Sequence, residues 1–170
     1  GTNVVFAGDN ASLGQEIAMS ADAVDITQLG VNTASAGNNF GMNQAIAFDT
    51  ISDEGTVTQG GTNLFTDLMT TGNTNSSLGQ LISGASRGGD ATTQVFTNVA
   101  LLDHPAAGSL SYTVTQANIA NATGLTAVTQ VPVNQVDWES SADGMLAQML
   151  HNRAQATTVL QTPVNILNPV

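Results

Sequence analysis

The sequence predicts a mainly β protein, an antiparallel β-sandwich with one short helix near its C-terminus. Hydroxyl and apolar residues alternate over residues 109–115, as in a strand with one buried face. Residues 95–102 are apolar on both faces and rich in types that favour strands. Between them, Pro105 and Gly108 favour a turn. Residues 92–115 therefore predict a β-hairpin.

The first half of the chain predicts short strands separated by polar loops. Residues 4–6 form a candidate strand, or part of an N-terminal arm over residues 1–10 that pairs with a neighbour. Leu13 and Ile17 lie four residues apart, a spacing that allows a short helix. The remaining pattern predicts strands at about 24–32 and 44–51, a helical turn or bent strand at 64–69, and loops at 33–42, 70–77 and 83–90.

The second half predicts a strand, a helix and a tail. The strand at 125–133 contains Pro132, which cannot donate to a ladder and so indicates an edge or a bulge. From residue 142 the apolar residues recur at helical spacing, and Ser140 or Ser141 can cap the start, so a helix is predicted over 142–155. Residues 161–170 form an apolar tail suited to docking on a neighbouring subunit. The length of 170 residues and the absence of an internal boundary favour a single domain over residues 1–170, and no repeat of fixed period emerges.

The charge balance limits the possible partners. The chain has 13 Asp and Glu against 2 Lys and Arg, giving a net charge of −11. Nucleic-acid phosphates and anionic membrane surfaces both require cationic patches, so neither is expected as a partner. Only 9% of residues are charged, so the surface is expected to consist of hydroxyl, amide and glycine residues. That composition is typical of virion, extracellular and cell-surface proteins.

One acidic turn is a candidate metal site. Asp49, Asp53 and Glu54 cluster in sequence, and Ca²⁺ prefers several carboxylate and carbonyl oxygens. The alternative is a solvated acidic turn, since the spacing is not that of an EF-hand. No other cofactor is predicted. His104 and His151 lie on distant segments and no Gly-x-Ser-x-Gly motif is present, so no catalytic site is predicted and the protein is not expected to be an enzyme.

The predicted hairpin resembles a known family of domains. In residues 101–114, Asp103, Pro105, Gly108 and Tyr112 stand where jelly-roll structural domains of phage virions, and the related C1q/TNF-like trimers, have a hairpin joining two sandwich strands. The resemblance implies a jelly-roll-like homotrimer with a structural or adhesive role.

These observations predict a non-enzymatic structural protein of a virion, as a capsid decoration, tail or fibre component. It would assemble with itself, and with other virion or surface proteins, through apolar interfaces at residues 4–6, 95–102 and 163–170. Two alternatives remain open. One is a cellular surface-layer or filament subunit that assembles by strand donation or tail exchange. The other is a secreted carbohydrate- or calcium-binding module.

Overall fold

The computed structural model describes residues 1–67, 74–102, 110–138 and 143–169. These residues fold almost entirely into strands. In chain order the strands are β1 Thr2–Phe6, β2 Ser12–Asp22, β3 Ile26–Ala36, β4 Gly41–Ser52, β5 Thr56–Asp67, β6 Thr74–Gly88, β7 Ala91–Leu102, β8 Leu110–Thr123, β9 Ala127–Trp138, β10 Asp143–Gln155, β11 Thr158–Gln161 and β12 Val164–Pro169. Among the described residues, no helix is long and apolar enough to cross a membrane.

The strands alternate between two parallel sheets. The odd-numbered strands β1 to β11 lie side by side in sheet A, where β12 also pairs with β9, and the even-numbered strands β2 to β10 form sheet B. All of the pairings are parallel. The chain therefore coils as a β-solenoid, in which each turn adds one strand to each sheet. Below, a rung is the position of one strand in its sheet, and a column is a set of residues in register across rungs.

The parallel solenoid overturns the predicted antiparallel sandwich, and with it the jelly roll. The strands β7 and β8 do not form a hairpin: β7 pairs with β5 and β9 in sheet A, whereas β8 pairs with β6 and β10 in sheet B. Alternation shows which side chains point inward, but it is the same for parallel and antiparallel strands, so it does not identify a strand's partner. The predicted turn, with His104, lies outside the described residues.

The helix predicted over 142–155 is also wrong, because residues 143–155 form the strand β10. The helical spacing came from the adjacent pairs Met145–Leu146 and Met149–Leu150. In a strand, each pair places one residue on each face: the methionines point outward, 69% and 52% exposed, and the leucines point inward. Pairing with β8 along the whole of β10 stabilises the extended form. The short helix at Leu13 and Ile17 is wrong too, because both residues lie in β2.

Other local predictions are confirmed or corrected individually. Residues 44–51 lie in β4 and 95–102 in β7, both as predicted. Phe96 points inward, and Val95 outward with 41% exposure. The loops predicted at 33–42 and 83–90 are largely strand, in β3, β4 and β6.

Pro132 lies in β9, which is not an edge strand. The carbonyl of Gln130 accepts a hydrogen bond from the Thr162 backbone N–H. Pro132 lies two residues further along, so its backbone nitrogen faces the same side of the strand. On that side β11 has ended at Gln161 and β12 begins only at Val164. The missing donor of proline therefore coincides with a break in the neighbouring strand.

The interior is filled by matching small and large residues across the two sheets. Gly61 in sheet A faces Ile82 in sheet B, and a Cβ on Gly61 would lie 2.8 Å from Ile82 Cγ2. One turn later the sizes are reversed, since Phe96 of sheet A occupies the space above Gly84 of sheet B. Two apolar clusters result, one around Phe65 and one around Phe48.

Candidate functional site

Columns of buried amide side chains run along the interior of the solenoid. In the middle of the molecule these side chains are almost completely inaccessible to solvent; Gln59, Gln94 and Asn98 are each 0% exposed. We name three ladders. The sheet B glutamine ladder is Gln15, Gln44, Gln80, Gln116 and Gln148; the sheet A glutamine ladder is Gln28, Gln59, Gln94, Gln130 and Gln161; the asparagine ladder of sheet A is Asn3, Asn32, Asn63, Asn98, Asn134 and Asn165.

In the sheet B glutamine ladder, each Nε2 donates to the Oε1 of the glutamine one rung nearer the N-terminus. Gln116 donates to Gln80 at 2.8 Å, and Gln148 donates to Gln116 at 2.9 Å. The second N–H crosses the interior, for example from Gln116 to the Gln135 carbonyl of sheet A at 2.8 Å. The ladder therefore links successive rungs and also links the two sheets. Buried amides require this degree of pairing, because an unpaired one costs about 1–3 kcal/mol.

The two ladders of sheet A have opposite polarities. In the glutamine ladder, Gln130 Nε2 donates towards the N-terminal end, to Gln94 Oε1 at 2.8 Å. In the asparagine ladder, Asn98 Nδ2 donates towards the C-terminal end, to Asn134 Oδ1 at 3.0 Å. Asn118 of sheet B joins this ladder by accepting from Asn98 and donating to Asn134, both at 3.1 Å.

The ladders end in hydrogen-bonding groups that complement one another. At the N-terminal end of the solenoid, Gln15 Nε2 bonds only the Thr33 carbonyl, and Asn3 Oδ1 has no partner among the described residues. At the C-terminal end, Gln148 Oε1 and Asn165 Nδ2 have no partner within the same described ranges. Each glutamine ladder thus ends in a donor at the N-terminal end and an acceptor at the C-terminal end, and the asparagine ladder ends in the reverse.

Both ends of the solenoid are also open strand edges. In sheet B, β2 pairs only with β4 and β10 only with β8. An edge strand presents unpaired backbone N–H and C=O groups that can pair with another chain. Two of the three segments predicted as contacts lie here: residues 4–6 in β1 at the N-terminal end, where Phe6 is 75% exposed, and residues 164–169 as β12 at the C-terminal end. The third segment, residues 95–102, lies in β7 in the middle of sheet A.

The two arginines of the chain lie on the outer face of sheet B, where both line one groove of about 670 Å³. Arg87 Nη2 pairs with Asp49 Oδ1 at 3.0 Å, with both side chains more than half exposed. Arg153 lies on β10, the rung at the C-terminal end, and makes no ion pair in the described part of the chain. Asp22 lies at the far end of β2, on the opposite edge of the sheet.

The structure does not bring the three predicted calcium ligands together as a metal site. Asp49 points outward from β4 and pairs with Arg87, while Asp53 and Glu54 lie in the connection to β5. Across the described ranges, no group of three His, Cys, Asp or Glu residues is placed to hold a metal ion. Asp25 lies across this connection, where the backbone N–H and then the hydroxyl of Thr56 lower its pKa.

The amide ladders were missed at the sequence level, although a signal was present. Glutamine followed four residues later by asparagine recurs six times. One occurrence, Gln148/Asn152, lies in β10, and the five in sheet A are Gln28/Asn32, Gln59/Asn63, Gln94/Asn98, Gln130/Asn134 and Gln161/Asn165. The successive sheet A occurrences lie 31, 35, 36 and 31 residues apart, from the differences between the glutamine numbers, so no fixed period exposes them. Such a recurrence is the signature of a solenoid.

Neither a family model, nor a curated protein, nor a solved structure matches the chain.

Proposed function

We propose that the protein is a structural subunit that stacks head to tail on copies of itself to form a filament. The observation that carries the proposal is the complementarity of the ladder ends. Placing the C-terminal end of one copy against the N-terminal end of the next brings Gln148 Oε1 to Gln15 Nε2, an acceptor to a donor. Head-to-head contact reverses the strand direction, so it continues none of the ladders.

Sheet B supplies the junction. Residues 145–155 of β10 and residues 12–22 of β2 occupy the same eleven columns, because both segments connect through β4, β6 and β8 without a break in register. Stacking in register places Leu146 beside Leu13 of the next copy and Leu150 beside Ile17. The apolar columns continue along with the ladder, and the two exposed edges become an ordinary parallel strand pair.

Charge complementarity supports the same register. Within the subunit, Asp49 of β4 pairs with Arg87 of β6, the next rung of sheet B. Arg87 is in register with Ile51, so it lies two residues further along the strand than the residue opposite Asp49. At the junction Gln155 is in register with Asp22 of the next copy, so Arg153 and that Asp22 have the same offset as Asp49 and Arg87. Arg153, which makes no ion pair among the described residues, thus faces Asp22 of the next copy at the strand offset of the Asp49–Arg87 pair, with the acid and the base exchanged.

Open ends with complementary hydrogen-bonding groups favour a filament subunit over the other structural roles that the sequence predicts. The acidic, hydroxyl- and amide-rich composition supports an extracellular or cell-surface location for such a filament. Each added copy brings a net charge of −11, and this repulsion opposes growth. Salt screens charges at distances beyond about 10 Å, so filament growth is expected to accelerate as the salt concentration is raised.

The direct test is assembly of the purified chain, followed by light scattering and electron microscopy. We expect unbranched filaments that grow from added fragments of filament. A chain that stays monomeric at high concentration and high salt contradicts the proposal.

A charge exchange tests the register. Arg153→Asp alone places two acids at every junction, and Asp22→Arg alone places two arginines there. In a mixture of the two variants, each junction between unlike copies regains an Asp–Arg pair. We therefore expect each variant alone to need about fivefold more protein to assemble, and the mixture to recover. Arg87→Asp makes the same change in net charge away from the junction and is the matched control. Failure of the mixture to recover contradicts this register.

A further inference from the structure

At the proposed junction, β12 of one copy and β1 of the next compete for a single strand position in sheet A. When β10 lies beside β2 of the next copy, a single rung separates β9 from β3 of that copy. In the isolated subunit β12 fills this rung, with Val164 in register with Val133. In the next copy β1 fills it, with Thr2 in register with Val31. Val133 and Val31 belong to one column, through Thr97 and Thr62, so β12 and the incoming β1 overlap.

We propose that the outer edge of β9, at residues 133–138, is the binding site for β1 of a second copy. β12 occupies this site in the free subunit and leaves it on assembly. The inference rests on the proposed function and specifies how the two ends join.

β12 carries the same pattern as β1. Thr-Asn-Val-Val-Phe at residues 2–6 and Val-Asn-Ile-Leu-Asn at 164–168 occupy the same five columns. Asn3 and Asn165 share the column of the asparagine ladder. Asn134 Nδ2, which donates to Asn165 Oδ1 at 3.1 Å, can donate instead to Asn3 Oδ1, an acceptor with no partner in the described residues. The exchange therefore preserves this part-buried hydrogen bond.

The neighbouring strand β11 completes the fit. β11 covers residues 127–130 of β9, and β1 of the next copy covers the columns of residues 133–137, so the two together fill one rung. Gln161 Oε1 of β11 then lies one rung from Gln28 of the next copy, whose Oε1 already accepts from Gln59 and whose Nε2 is left to donate. With β1 in the place of β12, all three ladders continue across the junction.

β12 has a strand partner on one side only, because it pairs with β9 alone, and Pro163 interrupts the chain between β11 and β12. Besides the Asn134–Asn165 bond, hydrogen bonds run from Gln148 Nε2 to the Ile166 carbonyl, and from Asn168 Nδ2 to Asp137 Oδ1 on β9 itself. A cavity of about 230 Å³ lies behind β12, lined by Leu167 and Pro169 of that strand together with Trp138, Gly144 and Leu146. In the stack, Leu13 of the next copy takes the place beside Leu146 and closes this end of the core. Replacing β12 by β1 therefore exchanges an incompletely packed strand for a continuous core.

A reversible lock on β12 tests the inference. The chain contains no cysteine. Gln135 and Ile166 are in register on β9 and β12, at the strand spacing of about 4.8 Å that a disulfide can bridge. We expect oxidised Gln135→Cys/Ile166→Cys protein to elongate filament ends at least tenfold more slowly than wild type, and reduction to restore elongation. The matched control is Thr62→Cys/Thr97→Cys, which joins β5 to β7 in the same way. We expect it to assemble equally well oxidised and reduced.

A second variant removes β12. We expect a chain ending at Gln161 to elongate faster than wild type, because the site on β9 is open. A locked protein that elongates as fast as wild type, or a truncated protein that does not gain, overturns the inference and leaves the proposed function intact. Failure of wild type, the control and the truncated chain alike to assemble overturns the proposed function itself.

Discussion

Gln80→Leu removes the central member of the sheet B glutamine ladder while nearly preserving side-chain volume. Gln80 Nε2 donates to Gln44 Oε1 at 2.9 Å and to the Val99 carbonyl at 2.9 Å, with a longer contact of 3.2 Å to the Asn63 carbonyl. Its Oε1 accepts from Gln116 at 2.8 Å. Leucine makes none of these bonds, so the ladder is cut between the second and fourth rungs of sheet B.

The cost follows from the groups left behind. Gln44 Oε1 and one N–H of Gln116 lose their partners in a dry interior, at about 1–3 kcal/mol each. The added apolar burial of leucine offsets about 1–2 kcal/mol of this. We expect a net loss of about 3 kcal/mol in the free energy of unfolding. In a chain of this size that lowers the Tm by roughly 6–12 °C.

Urea unfolding followed by circular dichroism, at protein concentrations low enough to prevent assembly, measures this loss. Gln155→Leu makes the same chemical change on the outer face of β10 and is the control, with an expected effect within about 0.5 kcal/mol. Gln15→Leu, at the end of the ladder, should fall between the two. A loss below about 1 kcal/mol for Gln80→Leu would refute the view that the ladders hold the rungs together.

Three further predictions follow from the interior and the turns. Gly84→Ala should cost about 2–4 kcal/mol, because its Cβ would overlap the Phe96 ring and lie 2.7 Å from Gln59 Oε1; Gly14→Ala, with open space around it, should be neutral, and equal melting temperatures would contradict the packing. The lowered pKa of Asp25 means that its ionised form stabilises the fold above the ordinary value of 3.8 and that this contribution is lost as the pH falls through the lowered pKa. Asp25→Asn should therefore flatten the acid end of a Tm-versus-pH curve, and an unchanged curve would remove Thr56 as the cause. EDTA should leave the Tm of the wild type unchanged, since Asp49 pairs with Arg87 and the described residues contain no group of three His, Cys, Asp or Glu placed to hold a metal; a lower Tm in EDTA would support the calcium hypothesis.

The strand content was predictable from the sequence, but the sheet partners were not. The strand at residues 95–102 follows from its residue types, and the structure confirms it as part of β7, although only the face of Phe96 is fully buried. Alternation does not depend on strand direction, so the sequence pattern of a link with proline and glycine predicts a hairpin turn, although β7 and β8 lie in different sheets. Over residues 142–155, adjacent apolar pairs satisfy both a helical and an extended pattern, and only the partner strand β8 decides between them.

The proposed assembly surfaces are half predictable from the sequence. Residues 4–6 and 163–170 were identified as contact segments from their apolar character, and the structure places β1 and β12 at opposite ends of the solenoid. The ladders were missed because glutamine and asparagine were assigned to the surface, where single amides are usually found. Inside a solenoid a buried amide is stable because an identical amide lies one rung away on either side, and that neighbour is 29–36 residues distant in sequence.

The helical rise of the filament, measured by electron cryomicroscopy, shows how many rungs each copy adds. Sheet B contributes five strands per copy, and exchange of β12 for β1 gives sheet A the same number of rungs. At a spacing of about 4.8 Å per rung, we expect a polar filament with a rise of about 24 Å per subunit. A rise of about 29 Å, or six rungs, would show that β12 stays in place beneath the incoming β1, and a filament without polarity would contradict head-to-tail stacking altogether.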